Sequence, residues 1–99
     1  MHPLMVHVRP HPCQERATEA LIGKIWPTLH RRGFATDQLP FVVKVPGNPV
    51  EYVGIYEWQS PDGLAEADGD AAVHHIFDQL RQVAEIKSVS GTYLDLDAV

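Results

Sequence analysis

The chain has 99 residues, 44% hydrophobic and 21% charged, the balance of one globular domain spanning 1–99. Its net charge of −5 with histidines neutral argues against nonspecific nucleic-acid binding, which needs clustered Lys and Arg. A single cysteine, Cys13, excludes an intrachain disulfide. No apolar run reaches the ~20 residues of a membrane span, and no charged-then-apolar leader opens the chain, so a cytoplasmic protein without a membrane partner is expected.

Leu4 to Arg9 reads as a strand, with Leu4, Val6 and Val8 on one face and Met5, His7 and Arg9 on the other. Pro10 and Pro12 end it. A helix is expected from Pro12 through Ala17, Ala20, Leu21, Ile25 and Leu29, kinked between Gly23 and Pro27 and stopped at Gly33. The β-branched run Leu39–Val45 and the alternating stretch Val50–Gln59 flank the turn formers Pro46-Gly47-Asn48-Pro49, which predicts a hairpin.

Ser60 and Pro61 suit the start of a second helical region. Gly69 predicts a break in it, and Asp70 a restart over a core stripe of Val73, Ile76, Phe77, Leu80, Val83 and Ala84. Asp62, Glu66, Asp68 and Asp70 gather where helix N-termini favour negative charge. Ile86–Leu96 reads as the last strand, with a bulge at Gly91.

The order is β-α-β-β-α-β. It predicts a ferredoxin-like α+β fold, a four-stranded antiparallel sheet with its helices on one face. The other face is apolar and aromatic and requires a cover, for which a second copy of the same sheet is the simplest choice, giving a homodimer.

The strand Glu51–Trp58 carries the main functional expectation. Its faces differ: Tyr52, Tyr56 and Trp58 point one way around Gly54, Val53 and Ile55 the other. With Leu4, Val6 and Val8 assigned to the helices, His7 and Arg9 are expected on the opposite face, beside Tyr52, Tyr56 and Trp58. A titratable pair against aromatic walls suits a pocket for a small hydrophobic or aromatic ligand. There histidine takes a proton and arginine holds an enolate or phenolate oxygen. The alternative is that these residues are dimer contacts.

Six histidines invite a metal reading, but His7 and His11 straddle Pro10 and share no regular element, and His74 and His75 are adjacent and diverge, so no pair has the helical four-residue spacing that ligands favour and no metal site is expected. His74 lies on the flank of the core stripe with Asp78 one turn on, an arrangement that can orient a general base. His75 points away from the core. Cys13 has no partner residues for a catalytic thiol.

The element order, the segment Val53-Gly54-Ile55-Tyr56-Glu57-Trp58-Gln59-Ser60 leading into an acidic Ala-rich helix, and Ser90-Gly91-Thr92-Tyr93-Leu94-Asp95-Leu96 together resemble the dimeric α/β-barrel superfamily. Within it they resemble the antibiotic-biosynthesis-monooxygenase-like domains. The resemblance implies a homodimer whose sheets form a barrel, with a hydrophobic cleft between sheet and helices in each subunit. Some such proteins oxidise polyketide quinol precursors without metal or flavin, and others cleave haem. The haem-cleaving relatives use an asparagine on the first strand, a tryptophan in the second helical region and a histidine beyond it. Here His7 stands in place of the asparagine, no tryptophan lies between Ser60 and Glu85, and only His74 or His75 matches.

The expectation is a cofactor-independent monooxygenase-like enzyme, with His7 or His74 as base, Arg9 as anion holder, and Tyr52, Tyr56 and Trp58 as walls. A non-catalytic ligand-binding or assembly module is the alternative.

Overall fold

The computed structural model describes residues 2–90. Its elements are β1 (Pro3–Pro10), α1 (Glu15–Ile22), α2 (Ile25–Arg31), β2 (Phe41–Val45), β3 (Glu51–Glu57), α3 (Gly63–Asp68), α4 (Ala71–Val83) and β4 (Ala84–Ser90). The strands form one antiparallel sheet in the order β2-β3-β1-β4, so the ferredoxin-like α+β plan holds.

The first helical stretch is two helices rather than one kinked helix. Gly23 and Lys24 separate α1 from α2, and Pro27 falls in the first turn of α2, where its missing N–H has no intrahelical partner to lose. Nor does the helix begin at Pro12. Cys13 takes a left-handed φ of 66°, so α1 starts at Glu15. Gly33 ends α2 as expected, at φ 82°, while the N–H of Phe34 turns back to the carbonyl of Leu29 at 2.8 Å.

The second helical region breaks at Gly69, and Asp70 restarts it. The Asp70 carboxylate accepts the N–H groups of Ala72 at 2.9 Å and Val73 at 3.1 Å, and Arg32 donates to it from the end of α2 at 2.9 Å. Burial works against that charge, but the hydrogen bonds and the guanidinium outweigh it and hold the Asp70 carboxyl below its ordinary value. Asp70 therefore both caps α4 and ties it to α2. The Ile86–Leu96 strand begins two residues early, at Ala84. Its irregularity lies opposite His7/Val8; Gly91 and the residues beyond it fall outside the described ones.

The largest departure concerns which face the aromatic residues occupy. In the β1–β3 register Leu4 pairs with Tyr56, Val6 with Gly54 and Val8 with Tyr52. Directly paired residues of an antiparallel ladder share a face. Tyr52, Tyr56 and Trp58 therefore lie under the helices with Leu4, Val6 and Val8, all nearly inaccessible. Ile25 and Leu29 of α2 and Val73, Ile76 and Leu80 of α4 close over them. Gly54 does not open a gap in this face. A Cβ there would come within 2.7 Å of the Tyr56 hydroxyl, so the Tyr56 ring occupies the space a side chain would fill. A charged replacement at Tyr52 or Tyr56 would strike the core rather than a dimer interface.

The uncovered face carries Met5, His7 and Arg9 of β1, Glu51, Val53 and Ile55 of β3, and Phe41, Val43 and Val45 of β2. Edge strand β2 is exposed along its whole length.

Candidate functional site

A cleft of about 450 Å3 opens between one end of the sheet and the α3–α4 pair. Leu4 of β1, Trp58 after β3 and Val89 of β4 supply the sheet wall. Leu64 and Ala67 of α3 and Val73 and Phe77 of α4 supply the helical one. Among the described residues its ionisable lining is Asp68, His74 and Arg81. Gly63 lets α3 lie against Trp58: a Cβ at that position would come within 2.6 Å of the indole ring. The indole is thus pinned between α3 and the sheet, and its Nε1 has no hydrogen-bond partner among the described residues.

The ionisable groups come from two short elements. His74 lies in the first turns of α4, and its Nε2 meets the main-chain carbonyl oxygen of Asp68, the last residue of α3. The Asp68 carboxylate is 3.8 Å from the same nitrogen. Sequence reasoning gave that orienting role to Asp78 and placed Asp68 at a helix N-terminus. In fact Asp78 pairs with Arg81 at 2.8 Å, and Asp68 sits at the carbonyl end of α3. His75 is exposed, as its position opposite the core stripe requires.

The other expected site residues separate. His7 and Arg9 lie on the uncovered face, in a network centred on Glu51. His7 Nε2 is 2.5 Å from one Glu51 oxygen, and Arg9 Nε donates to the other at 3.0 Å. Lys87 approaches at 3.4 Å, and Arg9 also reaches Glu85 at 3.6 Å. The contacts from His7 and Arg9, with help from Lys87, overcome partial burial and bring the Glu51 carboxyl down to about 2.

Tyr52 donates its hydroxyl to Glu19 of α1, and Lys44 stands 5.9 Å from its ring centre and 3.4 Å from the same carboxylate. Burial, and then that acidic neighbour, push the Tyr52 phenol above its ordinary range. Tyr56 is deeper still, and burial pushes its phenol up to about 12. Tyr52 and Tyr56 are therefore core residues whose hydroxyls stay protonated. The aromatic pocket expected around His7 and Arg9 does not form; Trp58 and His74 alone of the expected residues reach the cleft.

Arg81 and Asp68 were missed as site residues. For Arg81 the signal was present: His74, Phe77 and Arg81 recur at helical spacing, with Phe77 at the edge of the core stripe and the other two on its flank. Asp68 had no such signal, because its role comes from where α3 ends. Among the described residues no cluster of three or more His, Cys, Asp or Glu side chains could hold a metal ion, and no helix is long and apolar enough to cross a membrane.

No family model matches the sequence, and no curated protein does. Solved structures match in fold. SnoaB, a cofactor-independent oxygenase from Streptomyces nogalater, superposes with a TM-score of 0.72 at 12% identity, over 90% of this chain and 89% of that one. A structure described as a candidate antibiotic biosynthesis monooxygenase from Chloroflexus aurantiacus gives 0.66 at 17% identity, over 90% and 87%. A protein from Mycobacterium tuberculosis gives 0.59 at 22% identity, over 89% and 88%. The chain thus has the fold of the antibiotic-biosynthesis-monooxygenase-like proteins, the superfamily that its element order resembles.

Glu51 yields a pH prediction. Its folded value lies below the ordinary 4.5, so its charge stabilises the fold fully above that pH and the contribution fades as pH falls toward 2. Urea unfolding of wild type and Glu51→Gln should differ by a constant amount above about pH 5.5 and converge below it. A gap that persists unchanged into strong acid would contradict the network.

Proposed function

We propose that the chain is a monooxygenase-like oxidoreductase, similar in chemistry to the cofactor-independent oxygenases, acting on a small aromatic or polyketide-like substrate. The observation that carries this reading is the cleft itself. Its described walls are apolar, and the ionisable groups among its described residues are an acid–base pair and a guanidinium. Such a site accepts a flat apolar ring system and places its oxygen functions at the polar end.

The chemistry suited to these groups begins with proton removal from an acidic carbon of an anthrone-type ring. His74 takes the proton, and Arg81 stabilises the enolate oxygen that forms. The electron-rich enolate then combines with dioxygen at that carbon, forming a C–O bond, and the resulting peroxide takes back the proton held on His74. Loss of the second proton, with cleavage of the O–O bond, leaves a carbonyl; the departing hydroxide takes a proton to become water. One O2 is consumed, one oxygen atom enters the product and the other leaves as water. The substrate supplies the electrons, so no added cofactor enters this scheme. Trp58 and Phe77 are the walls, and Tyr52 and Tyr56 support the sheet from the core rather than touching the substrate.

A ligand-binding module without turnover is the second reading. It is favoured by the contact of His74 with the end of α3, which gives that histidine a structural task as well.

The uncovered sheet face supports a homodimer. It exposes Met5, Phe41, Val43, Val45 and Ile55 around the Glu51 network, and its mixture of acidic and basic groups can pair with a second copy across a two-fold axis.

Two outcomes test these readings. With anthrone as the probe, wild type should speed oxygen uptake and quinone formation over buffer. His74→Gln should lower kcat by about 100-fold or more, and Arg81→Gln should weaken the enzyme further at low substrate. A wild type no faster than buffer, though it binds the probe, favours the second reading. Light scattering should give a dimeric mass at micromolar concentration and a folded monomer for Ile55→Glu; a monomeric wild type would remove the dimer.

A further inference from the structure

We propose that Asp68 is the positioning residue of the cleft, fixing His74 in the tautomer whose Nδ1 is the proton acceptor. This rests on the reading of His74 as the base, and it assigns the working nitrogen and the group that selects it.

The argument begins at the end of α3. That helix ends at Asp68, and the carbonyls of a last turn have no partner within their own helix. The Asp68 carbonyl finds its partner in the imidazole Nε2 of His74, six positions on and one helix later. A carbonyl oxygen can only accept a hydrogen bond, so Nε2 must carry the hydrogen. A neutral imidazole has one N–H, which leaves the lone pair on Nδ1. A proton taken from a substrate therefore goes to Nδ1, and the ring becomes cationic with Nε2 still tied to the carbonyl.

Two further features of the α3 end lie beside that ring. Asp68 contributes its carboxylate at 3.8 Å from Nε2 as well as its main-chain oxygen. The carbonyl end of a helix adds a partial negative charge of its own. From α4 the charged groups on the same side are Asp78 and Arg81, and these pair with each other at 2.8 Å, so neither is committed to the histidine. The break at Gly69 lets the chain turn so that the end of α3 and the start of α4 bring these groups together. His74 and Asp68 both line the cleft, whereas Asp78 does not.

Long-range nitrogen–proton NMR of the histidine rings in the intact chain tests this without a substrate. For the neutral ring the expected spectrum shows His74 with a protonated Nε2 and an unprotonated Nδ1, and Asp68→Asn retains it because the main-chain oxygen is unchanged. A His74 ring with its hydrogen on Nδ1, or with the two tautomers equally populated, overturns the proposal. With the anthrone probe, Asp68→Asn should lower kcat by about 2- to 5-fold at unchanged KM, the size expected for an exposed ion pair. In His74→Gln an amide N–H can still reach the Asp68 carbonyl. That variant should keep the thermal stability and probe binding of wild type while losing turnover, whereas His74→Ala should lose stability too. Unchanged kcat in Asp68→Asn would deny the carboxylate its role. Absence of turnover in wild type would sink the oxidation reading while leaving the tautomer result standing.

Discussion

The pairing of β1 with β3 is the constraint on which the rest of the molecule depends. Because strand side chains alternate, setting Leu4 opposite Tyr56 and Val8 opposite Tyr52 decides the face of every residue on both strands. One choice sends five large side chains into the core. It also leaves His7, Arg9 and Glu51 together on the open side, where they neutralise one another. A slip of one residue would bury those charges and expose the tyrosines. Register and charge pairing therefore support the same arrangement.

The cleft is a consequence of how the second helical region is broken. Gly69 and the Asp70 cap split it into a six-residue α3 and a longer α4. The core stripe of α4 is spent against the sheet. The flank of that helix, bearing His74 and Arg81, is left with the stripe-edge residue Phe77 to face α3 across a space floored by Trp58 and Leu4. Arg32 reaches from α2 to the cap residue Asp70, so the break is also anchored to the first helical pair. The same discontinuity that costs helical hydrogen bonds supplies the carbonyl that holds His74.

Much of this fold was legible in the sequence because it rests on local signals. The hairpin between Val45 and Glu51, the stop at Gly33 and the cap at Asp70 each follow from one or two residues whose backbone preferences leave little choice. Alternation in Glu51–Trp58 fixed which residues share a face. It could not say which face meets the helices, since Val53 and Ile55 are as apolar as the tyrosines. That decision lies in pairing with β1, a contact more than forty positions away in the chain. The site suffered from the same limit. His74 was singled out from its position beside the core stripe, and Trp58 as part of the aromatic face with Tyr52 and Tyr56; both line the cleft. His7 and Arg9 were assigned to a pocket by the reversed face, and Asp68 gained its role only from the point at which α3 stops.

The central claim is that the space between α3, α4 and the sheet end, and not the open sheet face, receives the ligand. Chemical-shift mapping of backbone amides during titration with a water-soluble anthraquinone sulfonate tests it most directly. The account predicts saturable shifts at Leu64, His74, Phe77, Arg81 and Val89, with His7, Arg9 and Glu51 unmoved. Saturable shifts centred on His7, Arg9 and Ile55, with the α3–α4 residues silent, would contradict it.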